Sequence, residues 1–142
     1  PMLTGKEAAI QPYFDAVATI KSDYERSNVL KTLMKQDAPS SAVLVLVAGA
    51  TKTISSDYER HGVLSALVKT KNPSEEVLRL LLESAAAMSS DYEKAGLLME
   101  ISNAYTGDSR LKSEFLKVVE TIKSDYERGR VLSALLKNKQ IG

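Results

Sequence analysis

The tetrapeptide Ser22-Asp23-Tyr24-Glu25 returns as Ser56-Asp57-Tyr58-Glu59, Ser90-Asp91-Tyr92-Glu93 and Ser124-Asp125-Tyr126-Glu127, each copy 34 residues after the last. The register holds outward from it. Val29-Leu30, Val63-Leu64, Leu97-Leu98 and Val131-Leu132 follow at one spacing, then Leu33, Leu67, Ile101 and Leu135, while Ile20, Ile54, Met88 and Ile122 precede. A fixed period of this length marks a repeat architecture in which each unit is one supersecondary element. The units are residues 4–37, 38–71, 72–105 and 106–139.

Each unit reads as two helices. Ser22 with Glu25, Ser56 with Glu59, Ser90 with Glu93 and Ser124 with Glu127 have the spacing of a capping box, so the serines are predicted N-caps of the second helix, helix B. Such a cap contributes about 1 kcal/mol, which is a sufficient structural reason for the motif to recur. The first helix, helix A, is predicted to begin near Gly5, Pro39, Pro73 and Gly107. Thr4 with Glu7 and Asn72 with Glu75 repeat the cap logic, with Pro73 at the first helical position. Pro12 falls inside the first helix A and predicts a kink or a late start. Helix A carries an apolar stripe in Ile10, Phe14, Val17 and Ile20, and again in Leu78, Leu81, Leu82, Ala85 and Met88.

A two-helix hairpin cannot bury such a stripe alone, so neighbours must stack and share a core. The predicted fold is an all-α, right-handed solenoid of four two-helix repeats forming a single domain. Almost nothing is left over for distinct end caps, which leaves open an excised fragment, an engineered array, or ends that meet another copy.

One stretch argues against this register. Ala42 to Ala50 reads by composition as a buried strand, and Gly49-Ala-Thr-Lys-Thr53 resembles a phosphate-binding loop. A single glycine without the closing Gly-Lys-Ser/Thr cannot cradle phosphate, and the repeat places this segment at helix A. Gly62, Gly96 and Gly129 lie inside helix B, at a cost of about 1 kcal/mol each, and predict close helix approach or room for a neighbouring side chain, with the tyrosine four residues before Gly62 and Gly96 as a candidate occupant.

Composition narrows the function. Formal net charge is +1, so no field is available to gather nucleic acid or an anionic membrane. There is no cysteine, which removes disulfides and thiolate chemistry. No apolar run is long enough to span a bilayer, and the opening Pro-Met-Leu-Thr-Gly lacks the features of a signal peptide. His61 is the single histidine and its repeat counterparts are Ser27, Ala95 and Gly129. No nucleophile elbow, zinc-protease helix or calcium loop is present, so no enzyme activity, metal or cofactor is expected.

Two ladders and one patch remain. Tyr24, Tyr58, Tyr92 and Tyr126 are expected to pack between hairpins with wet hydroxyls. Arg26, Arg60, Lys94 and Arg128 each follow an aspartate at a spacing that permits intrahelical pairs. In helix A of the second unit, Val45 replaces the Gln11, Arg79 and Ser113 of the other units, so Ala42, Val45, Leu46 and Gly49, with Leu80 alongside, form a candidate apolar protein contact, the alternative being a helix A rotated so that this patch is internal.

The period resembles that of tetratricopeptide and HEAT-like solenoids, without the Trp and Leu-Gly pattern of the former. The motif Ser-Asp-Tyr-Glu-Arg/Lys-x-x-Val/Leu-Leu, as in Ser56 to Leu64, is similar to helical repeats of bacterial proteins, including extracytoplasmic regions beside sensor peptidases. That resemblance implies a soluble, non-catalytic accessory or sensing region. The expected function is therefore a protein-interaction or scaffolding module that binds a protein or peptide and has the potential to self-associate. The alternatives are a structural or engineered array without a natural ligand and a nucleic-acid-binding helical repeat.

Overall fold

A computed structural model describes the chain over residues 5–35, 40–70, 73–104 and 109–137. Its elements are α1 (Gly5–Val17), α2 (Asp23–Met34), α3 (Ser41–Ala50), a 3-10 turn (Thr51–Thr53), α4 (Asp57–Val68), α5 (Glu75–Ala86), α6 (Asp91–Ala104), α7 (Ser109–Glu120) and α8 (Asp125–Lys137). No strand occurs among the described residues. The chain is an all-α helical repeat.

Each helix packs on its hairpin partner and on the helix two places further along the chain. Helices α1, α3, α5 and α7 therefore form one layer and α2, α4, α6 and α8 the other. Between the layers runs one continuous apolar cluster, from Phe14 and Val17 through Val47, Leu64, Leu81 and Leu98 to Phe115 and Leu135. Residues one repeat apart do the same work: Leu30, Leu64 and Leu98 are all fully buried.

The strand-like stretch is helix α3. Ser40 caps it by accepting from the Val43 N–H, and Val43, Leu44, Val47 and Ala48 turn inward at helical spacing. Two layers of neighbours bury this stripe, and that outweighs the β-preference of its valines. Helix α1 runs through Pro12 rather than starting after it.

The start of α5 differs from the expectation. Its N-cap is Ser74, which accepts from the Val77 N–H, so Pro73 lies ahead of the cap rather than at the first helical position. Ser74 matches Ser40 of the preceding repeat in place and in partner. The caps and starts predicted at Thr4, Pro39, Asn72 and Gly107 lie outside the described residues.

Candidate interaction grooves

The repeated tetrapeptide does two jobs at once. Ser22, Ser56, Ser90 and Ser124 each accept from the N–H of the glutamate three residues on, at 3.2 Å, as an N-cap should. The reciprocal half of the expected capping box is replaced. Asp23 Oδ2 accepts from the backbone N–H groups of Ser55 and Ser56, Asp57 Oδ2 from those of Ser89 and Ser90, and Asp91 Oδ2 from those of Lys123 and Ser124. Each aspartate thus clamps the first turn of helix B in the next repeat, where a carboxylate also meets the positive end of the helix dipole.

The basic ladder is likewise not an intrahelical one. Arg26, Arg60 and Arg128 donate to the carbonyls of Ile20, Ile54 and Ile122, and Lys94 donates to Thr121 Oγ1. The arginines satisfy carbonyls just past helix A of their own repeat, which would otherwise lack partners. With the carboxylates engaged across the seam and the guanidiniums engaged here, the two ladders do not meet.

The tyrosines do not pack between hairpins. Tyr58 is 73% exposed and Tyr92 65%, and Tyr24 and Tyr126 stand out in the same way. They lie at the second position of helix B, opposite the core-facing Leu and Val positions, so their rings project from the ridge.

Between Tyr58 and Tyr92 lies a groove of about 430 Å³, lined also by Lys31, Glu59, His61 and Glu100. Gly62 and Gly96, the same position in successive repeats, also line it. The expected close approach at these glycines occurs, but tyrosine is not the occupant. A Cβ at Gly62 would stand 3.0 Å from Lys31 Nζ, and one at Gly96 would stand 2.9 Å from His61 Cε1. Gly129, at a different repeat position, has nothing within 4 Å of such an atom. The equivalent of Gly62 and Gly96 in the fourth repeat is Arg130, whose guanidinium lies 5.8 Å from the Tyr92 ring centre and 6.0 Å from that of Tyr126. A hydrogen bond from Arg130 to Glu127 holds it there and raises its affinity for its proton. At this position the fourth repeat puts its own arginine beside the tyrosines, where Gly62 and Gly96 leave room for Lys31 and His61.

His61 is built into the groove wall. Its Nδ1 lies 3.0 Å from Glu93 Oε2 and its Nε2 lies 2.7 Å from Glu100 Oε1. Ser65 Oγ donates to the other oxygen of Glu100, which leaves the serine bonded to an acid rather than to the imidazole. Sequence reasoning missed this cluster. Glu100 departs from its repeat just as His61 does, its counterparts being Thr32, Ala66 and Ala134, and two departures in adjacent repeats were the available clue.

The helix A patch is partly brought together. Val45, Leu46 and Gly49 line a second groove of about 320 Å³ with Phe14, Val17 and Ala18 of the first repeat. Val45 and Leu46 are half-buried and pack against the core rather than forming an open surface. Ala42 and Leu80, both half-buried, do not line this groove. Further along the same layer the surface turns polar: Arg79 pairs with Glu75 at 3.0 Å and with Glu114 at 3.3 Å, and these acids, Glu75 first, hold its guanidinium above its ordinary pKa.

No helix among the described residues is long and apolar enough to cross a membrane. Comparison with family models, curated proteins and solved structures finds no match.

Proposed function

We propose that the chain is a non-catalytic interaction module and that the groove between Tyr58 and Tyr92 receives a short peptide segment of a partner protein. The observation that carries this reading is the pairing of two exposed tyrosine rings across one groove, on one ridge and in adjacent repeats. Exposed tyrosines supply large contact area at low entropic cost and are enriched among residues that dominate binding energy. The groove volume lies within the range of ligand sites, about 300 to 1,000 Å³.

Its lining disfavours the other readings. Glu59, Glu93 and Glu100 repel a polyanion, which speaks against nucleic acid. Ser65 donates to Glu100 rather than to His61, and both ring nitrogens of His61 face carboxylates, so no Ser–His nucleophile pair forms, which speaks against that nucleophilic chemistry.

Selection of a displayed random peptide library on the chain tests the proposal. The expected result is a convergent set of sequences whose affinity falls at least about 30-fold, or about 2 kcal/mol, in Tyr58→Ala and Tyr92→Ala while the melting temperature holds. A selection without convergence, or binders indifferent to both substitutions, overturns it.

A further inference from the structure

Seven large hydrophobic side chains are exposed among the described residues. Four are the ridge tyrosines. The other three, Tyr13, Leu132 and Leu136, lie on the first and last repeats, and none matches an exposed residue in the repeats between.

Leu132 is 37% exposed, whereas Leu30, Leu64 and Leu98 at the same position, in repeats that have another stacked after them, are completely buried. Leu136 is 59% exposed, whereas its counterparts Ser102 and Val68 are buried and Met34 is half-buried. Tyr13 is 61% exposed, and its counterparts Val47, Leu81 and Phe115, in repeats that have another stacked before them, are buried. Val29 is only half-buried where Val63, Leu97 and Val131 are buried completely.

The polar clamp divides in the same way. Asp125 is exposed, whereas Asp23, Asp57 and Asp91 are half-buried in their clamps. At the other end Lys21 and Ser22 are exposed, and they hold the positions whose N–H groups are clamped in each later repeat.

We infer that the outer face of the fourth repeat docks the outer face of the first repeat of a second copy. The two faces are the two halves of a seam that the chain already forms three times within itself. Asp125 then accepts from the Lys21 and Ser22 N–H groups of the next copy, while Leu132 and Leu136 cover Tyr13 and Val29. A head-to-tail contact of this kind leaves a fresh face at each end, so it propagates into short filaments or closes as a ring. The inference is independent of the groove and of any peptide bound there.

Analytical ultracentrifugation of three proteins tests it: the wild-type chain, Leu132→Glu/Leu136→Glu, and Tyr13→Glu/Val29→Glu, each verified as helical by circular dichroism. Wild type is expected to gain mass steadily between about 10 µM and about 1 mM, in the range of weak specific contacts. Each variant alone is expected to associate at least about tenfold more weakly, because each retains one intact face and lacks its complement. Mixed in equal amounts, the two variants are expected to form a one-to-one dimer that cannot grow. A wild-type chain that stays monomeric throughout overturns the inference. So does a Tyr13→Glu/Val29→Glu variant that still self-associates, which indicates a symmetric contact through the fourth repeat, and so does a mixture that yields no dimer. Where the double variants lose helicity, Asp125→Ala replaces them, and association unchanged from wild type then counts against the inference.

Discussion

Asp57 Oδ2 lies 2.7 Å from the backbone nitrogen of Ser90, and through that bond a residue in the first turn of one helix sets the start of another helix a full repeat away. The same oxygen takes the Ser89 N–H at 2.9 Å. Hydrogen bonds to charged groups contribute about 1.5–3 kcal/mol.

Asp57→Ala is therefore expected to lower unfolding stability by about 2 kcal/mol, since it leaves two N–H groups without their carboxylate. Asp125→Ala, at the same repeat position with no clamp among the described residues, is expected to change stability by less than about 0.5 kcal/mol in dilute solution. Urea denaturation of both variants checks the difference, and equal losses would show that the aspartate acts only on its own helix.

Gly62→Ala and Gly96→Ala are expected to move stability in opposite directions. The new methyl at residue 62 meets the far end of the flexible Lys31 chain, which can swing aside, and alanine then gains about 0.5 to 1 kcal/mol of helix propensity. At residue 96 it meets the His61 ring, which is pinned by Glu93 and Glu100, and the clash should cost about 1 to 3 kcal/mol. Removing the ring in a His61→Ala/Gly96→Ala double variant should relieve most of that clash, and thermal denaturation of the four proteins reads the coupling.

Ser27→Ala is expected to stabilise the chain by about 1 kcal/mol. The Ser27 hydroxyl is completely buried and has no hydrogen-bond partner. A buried unsatisfied hydroxyl is costly, and the third repeat already places Ala95 at this position. A drop in midpoint on denaturation would show that the hydroxyl has a role these contacts do not reveal.

Val45→Lys is expected to be tolerated better than Val45→Glu, by about 0.5 kcal/mol. Asp15 lines the same groove and attracts the ammonium while repelling a second carboxylate. Midpoints of the two variants at low and high salt check this, and the gap should narrow as salt screens the charges.

The repeat, the helix pairs and the serine caps were legible because each is encoded locally, in a period or in a spacing of three. The partners of Asp23, Asp57 and Asp91 were not. The clamp joins residues 32 and 33 positions apart, and the donors are main-chain groups that leave no trace in residue type. The tyrosines were misjudged for a related reason: their place in helix B was readable, but the direction of the ring depends on how the layers rotate against each other. Helix A of the second repeat was placed correctly only because the register outweighed its strand-like composition. The groove remained hidden because it arises from two departures, His61 and Glu100, that become neighbours only when successive hairpins are stacked.

The clamps all point one way. The aspartate always precedes the serine it holds, so during synthesis from the N-terminus the acceptor is in place before its donors leave the ribosome. Each finished hairpin is then a template for the next, and ordering can advance behind the growing chain one hairpin at a time, without waiting for the C-terminal half to appear.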